Sequence, residues 1–104
     1  MIKAQFTKFE KGENWCNGIV AKVGDKPAYV FEAKSFDTGS VFGINEGRVS
    51  KLCIKLADTV GNGKSYFDGV VVNYERGWDM EPTDEIKPYF DAVMDLLENA
   101  PKRF

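Results

Sequence analysis

The sequence predicts an α+β fold: a single antiparallel sheet of about five strands with one C-terminal amphipathic helix packed on one face. Three observations lead there. Apolar and polar residues alternate in several short segments, turn-forming Gly, Pro, Asn and Asp separate those segments, and the C-terminal stretch switches to apolar steps of three and four. A helix with one apolar stripe must bury it, and the sheet is its natural partner. With 104 residues, 43% of them hydrophobic and 13% aromatic, the chain can build a packed core, so one domain over 1–104 is expected.

The elements follow in order. Ile2, Ala4 and Phe6 alternate with Lys3, Gln5 and Thr7, the period-two signature of a half-buried strand. From Trp15 to Val23 the residues Trp15, Ile19, Ala21 and Val23 fall in phase, with Asn17 breaking the pattern, before Gly24 to Pro27 supplies a turn. Ala28 to Lys34 then reads as the partner strand of a hairpin, with Tyr29, Phe31 and Ala33 alternating against Val30 and Glu32. Gly39, Gly43 and Gly47 recur every fourth residue through SFDTGSVFGINEGR, which reads as an irregular loop whose glycines permit positive φ, with a tight turn at Asn45 to Gly47. The clearest strand comes next: Ser50, Leu52, Ile54 and Leu56 oppose Lys51, Cys53 and Lys55. VGNGKS is a turn, and Tyr66 to Tyr74 is a strand in which Gly69 marks a bulge or a close approach. Ile86, Phe90, Val93, Leu97 and Ala100 define a helix over about 84–100, with Thr83 as a possible N-cap, Pro88 favouring a start nearer Lys87, and Pro101 as the stop.

Composition excludes several classes of function. Histidine is absent, which removes the commonest general base, the commonest zinc ligand and the usual physiological-pH switch. Cys16 and Cys53 are too few for a disulfide scaffold or a zinc site, so free thiols, no metal and no cofactor are expected. Neither a signal peptide nor a transmembrane run is visible, which places the chain in the cytoplasm and away from membranes. Lys and Arg number 14 against 16 Asp and Glu, net −2, too balanced to coat a polyanion by bulk charge. The balance is uneven along the chain: residues 1–56 hold nine basic and six acidic groups, whereas 57–104 hold five and ten.

Familiar catalytic patterns fail on spacing. GNGKS at 61–65 lacks the first Gly of a P-loop, since position 58 is Asp, and a strand rather than a helix follows it. Asp79, Glu81, Asp84 and Glu85 cluster without EF-hand spacing, so capping and solvation explain them better than Ca²⁺. With no His to activate a thiol and no nucleophile elbow, catalysis is a minority reading.

Two segments stand out, GSVFGINEGRVSKLCI at 39–54 and VVNYERGWDMEP at 71–82. Together they resemble a group of small proteins of low-GC Gram-positive bacteria and their phages, with the pattern GSxFGIxxGRxSKL followed by YxRGWD. The resemblance covers about residues 15–98, leaves out Cys16 and Cys53, and carries no activity. It implies a sheet with a C-terminal helix and a mobile-element setting.

Two surfaces are therefore expected to bind. The first is acidic: Asp91, Asp95 and Glu98 on the helix, with Arg76, Trp78 and Asp79 at the exit of the last strand, docking on a protein partner with a basic surface, for example the nucleic-acid channel of a host nuclease. That reading makes the chain a non-catalytic, counter-defence type of accessory protein. The alternative is a single-stranded nucleic-acid face built from Arg48, Lys51 and Lys55 with Trp15 or a tyrosine. Bland explanations compete with both: Trp78 plugging the sheet–helix junction, Arg76 pairing with Asp79 or a helix carboxylate, and edge-strand lysines deterring aggregation. A small enzyme is the remainder, and an unpaired edge strand leaves a homodimer open.

Overall fold

In a computed structural model, which describes residues 1–59 and 69–104, six strands form one antiparallel sheet and a single helix covers one of its faces. The strands are β1 (Ile2–Phe9), β2 (Trp15–Lys22), β3 (Tyr29–Ser35), β4 (Val49–Leu56), β5 (Val70–Glu75) and β6 (Trp78–Met80), and the helix is α1 (Lys87–Glu98). Spatial order equals chain order, β1-β2-β3-β4-β5-β6, so each strand pairs with its neighbours in the sequence of strands. The sixth strand is the one the alternation did not show. Three residues are too short to display a period, and YERGWD is a hairpin joining β5 to β6, not a strand exit.

The helix stripe is buried as its spacing predicts. Ile86, Phe90, Val93 and Leu97 lie against Val20, Phe31, Ala33, Leu52, Ile54, Val72 and Tyr74 from the sheet, and Ala100 is buried as well. At about 1.5–3 kcal/mol for each large side chain removed from water, this interlock is the chief force holding helix to sheet. Regular helix begins at Lys87, with Pro88 in the first turn, and not at 84. Thr83 caps nothing through its hydroxyl; its carbonyl accepts from the Ile86 and Lys87 amides in the preceding turn. Helix α1 spans the sheet, packing on β1 while Tyr89 meets Tyr29 of β3 at 4.8 Å and Phe90 meets Trp78 of β6 at 5.7 Å.

Strand β2 runs in the opposite phase to the one its large residues suggest. Cys16, Gly18 and Val20 face the core, and Trp15, Asn17, Ile19 and Ala21 face away from the helix. Gly18 is the reason: the Phe31 ring lies directly over its α-carbon, so a β-carbon there would collide with the ring and with the Gln5 carbonyl. The two thiols consequently sit on opposite faces, Cys16 in the core and Cys53 half-buried on the other face.

The glycine-rich loop also departs from expectation. Its positive φ angles fall on Asn45 (52°) and Glu46 (57°), not on its glycines. Gly47 serves a close approach: a β-carbon would stand 2.5 Å from the Glu98 carboxylate. Gly69, by contrast, does take positive φ (76°), beside the register shift between β4 and β5. Gly61 to Ser65 and the start of the expected 66–74 strand lie outside the described residues.

Candidate functional site

With α1 on one face, the other face of the sheet is uncovered among the described residues, and strand register arranges its side chains in rows. One row runs Trp15, Lys34, Lys51, Glu75 across β2 to β5. Lys34 and Lys51 are therefore direct cross-strand neighbours, an arrangement of like charges that costs stability unless something offsets it. Neighbouring groups offset part of it. Lys51 Nζ lies 3.2 Å from Glu75 Oε1 and 5.9 Å from the centre of the Trp15 ring, while Lys34 Nζ lies 5.8 Å from the centre of the Phe36 ring.

This row opens into a groove of about 330 Å³ between the 36–42 loop and the β5–β6 turn. Lys34, Lys51 and Arg76 supply its charge, Phe36 and Phe42 its aromatic walls, and Thr38, Ser40 and Ser50 its hydroxyls; no carboxylate belongs to the lining. Arg76 is held there by backbone geometry. It sits at φ 58° in the turn, its amide donates to the Ser50 carbonyl at 2.9 Å, and its guanidinium carbon lies 5.4 Å from the centre of the Phe42 ring. The loop is pinned to the same place by Tyr74, whose hydroxyl donates to the Phe42 carbonyl at 2.8 Å. Two segments more than twenty residues apart in sequence, GSVFGINEGRVSKL and YERGWD, thus meet: Gly39, Ser40, Phe42, Ser50, Lys51 and Arg76 all border one groove.

The expected site residues divide accordingly. Lys51 and Arg76 come together, although sequence reasoning assigned them to different surfaces. Arg48 does not belong to the sheet face. Its Nε donates to the Phe36 carbonyl at 2.7 Å and its Nη1 to the carbonyls of Glu98 (2.8 Å) and Ala100 (3.0 Å), so it caps the C-terminal end of α1. Lys55 shares the open face but lies four residues, about 13 Å, along the strand from Lys51, in a separate hollow with Glu32 and Cys53. Neither lysine protects an edge, because β4 is an interior strand. Trp78 stacks on Tyr74 at 5.0 Å and on Phe90, plugging the sheet–helix junction, and Asp79 receives a 3.5 Å contact from Asn73 Nδ2. Arg76 pairs with Phe42 and with no helix carboxylate.

The helix acids are engaged within the fold. Lys87 donates to Asp91 at 3.2 Å, Asn99 Nδ2 donates to Asp95 Oδ1 at 3.1 Å, and the Glu98 carboxylate accepts the Arg48 amide at 3.1 and 2.9 Å. Asp91 and Asp95 remain exposed, while the half-buried Glu98 clasps the loop to the helix. Among the described residues no group of three or more Cys, Asp or Glu gathers at metal-binding distance, and no helix is long and apolar enough to cross a membrane.

Sequence reasoning missed Lys34, Phe36 and Phe42. The signal was present in the alternation of β3, which puts Lys34 on the Lys51 face, but the pairing of β3 with β4 was needed to bring them side by side.

Residues 14–98, most of the chain, match a family described as a domain of unknown function, DUF7678. The chain belongs to that family. Both groove-forming segments fall inside the matched region, whereas the C-terminal residues 99–104 lie beyond it. No curated protein and no solved structure matches the chain.

Proposed function

We propose that this chain binds single-stranded nucleic acid through the Lys34–Lys51–Arg76 groove and the adjoining open sheet face. One observation carries the reading: two lysines stand directly opposite each other and a third cation, Arg76, joins them in a groove whose lining has no carboxylate. An interior pair of like charges is retained at a cost, and an incoming phosphate offsets it. Phe36, Phe42 and Trp15 supply faces on which unpaired bases can stack, sequence-tolerant contacts that a double helix cannot offer. The basic first half of the chain contributes Lys34 and Lys51 to this surface, which explains how a protein of net −2 can still hold a polyanion locally. The mobile-element setting implied by the sequence resemblance suits a small accessory protein that handles single strands.

The test is fluorescence anisotropy with a labelled pyrimidine strand of about 12 nucleotides, within the range such folds engage. The expected result is binding at low salt whose log affinity falls against log salt with a slope of about −1.5 to −2, from two to three phosphate contacts at about 0.7 each. Replacing Lys51 and Arg76 with Ala should weaken it at least about tenfold, since base-stacking and charged contacts are each worth about 1–3 kcal/mol. Absence of binding at low salt, or full affinity in the double variant, contradicts the proposal.

A further inference from the structure

We infer that Glu75 is a built-in competitor for the nucleic-acid phosphate at Lys51, so that the groove rests partly closed and its affinity is set by one exposed carboxylate. The inference deepens the nucleic-acid reading above and rests on it. Three features of the site lead to it. Glu75 is the cross-strand partner of Lys51, and its Oε1 lies 3.2 Å from Lys51 Nζ. It belongs to the rim of the adjoining hollow with Trp15 and Lys51, but not to the lining of the groove itself, which holds Lys34, Lys51 and Arg76 and no carboxylate. Its neighbour in sequence is Arg76, whose amide is fixed to Ser50, so the carboxylate is held beside the groove by the same turn that presents the guanidinium.

Lys51 is therefore shared among three attractions: the Glu75 carboxylate, the Trp15 ring and the groove. A phosphate entering the groove must draw the ammonium away from Glu75. Because the Glu75 side chain is 60% exposed, the pair is weak enough to open and the freed carboxylate can return to water. A strand thus binds with two cations free and gains the third only by breaking the pair.

The experiment is a double-mutant cycle on the full chain, Glu75→Gln and Lys51→Ala singly and together, read by the same labelled strand over a salt series. Circular dichroism confirms that each variant is folded. Glu75→Gln should tighten binding about two- to fivefold, the amount an exposed pair can withhold, and steepen the salt slope by up to about 0.7. The gain should vanish when Lys51 is Ala. Equal tightening in the Lys51→Ala background would show simple repulsion of the strand by Glu75 and overturn the inference, as would unchanged affinity for Glu75→Gln. If the parent chain binds no strand at all, the nucleic-acid reading itself fails, which distinguishes that failure from the failure of the competitor.

Discussion

Arg103 shows at the scale of single residues how much a buried cation can organise. Only 3% exposed, it donates through Nη2 to Ser35 Oγ (2.7 Å), the Ser35 carbonyl (2.9 Å) and the Asn14 carbonyl (3.1 Å), and its guanidinium carbon lies 4.4 Å from the Phe9 ring centre. No carboxylate pairs with that guanidinium among the described residues; carbonyl oxygens and an aromatic face satisfy it instead. Its neighbour Cys16 is pushed above the usual thiol range by burial, with Arg103 pulling the other way. Outside the cage, Asp37 closes the clasp, accepting the amides of Arg103 (2.9 Å) and Phe104 (3.1 Å).

Those bonds, the Arg103 amide first, hold the Asp37 carboxyl below its ordinary 3.8. A carboxylate with a depressed folded value stabilises the fold above its unfolded value and loses that contribution as pH falls through the folded one. The wild type should therefore lose more stability than Asp37→Asn between about pH 5 and pH 3, with the Arg103 and Phe104 amides losing protection, relative to their intrinsic exchange rates, toward the acid end. Thermal melts and hydrogen exchange across that window test it; identical acid dependence in the two proteins would refute the role given to Asp37.

At the scale of elements, strand β2 carries the sharpest prediction. Gly18 is the floor on which Phe31 rests, so Gly18→Ala should destabilise the chain by about 1–3 kcal/mol through overpacking, where an exposed strand glycine would gain from the same change. Chemical denaturation gives the number, and a neutral or stabilising result would mean that β2 does not run in the described phase. The sequence misled here for a physical reason. Trp15 and Ile19 are the largest residues of the strand, and size suggests burial, yet the core-facing positions are small because Phe31 crosses from β3 to fill their space. Strands β1, β3 and β4 were legible because each has one wet and one dry face. Helix α1 was legible because Phe90, Val93 and Leu97, with Ile86 just before them, share one face and join the core cluster of the sheet. Strand β6 was not, having too few residues to show a period.

At the scale of the whole molecule, the two faces of the sheet differ. Among the described residues one helix covers one face of the six strands, and the other carries Trp15, Lys34, Lys51 and Glu75 in line. Half of the candidate site was readable in advance: Lys51 and Arg76 were singled out, and the two segments carrying them were recognised as distinctive. Their meeting was not readable, because it depends on the register that sets β3 against β4 and β4 against β5, and register is a property of pairs of strands. Arg48 and Glu98 illustrate the converse. Each is a charged residue at an apparently exposed position, yet each is bound to the other's backbone at the end of α1. Of the three helix carboxylates, Glu98 is thereby committed to the Arg48 amide, while Asp91 and Asp95 stay exposed.

The most direct test of that asymmetry is a two-dimensional amide and side-chain NMR titration of the chain with an unlabelled single strand at low salt. The Trp15 indole and the amides of Lys34, Phe42, Lys51 and Arg76 should shift together and saturably, while Asp91 and Asp95 on the outer side of α1 stay in place. Shifts confined to the helix, or none anywhere, would contradict it.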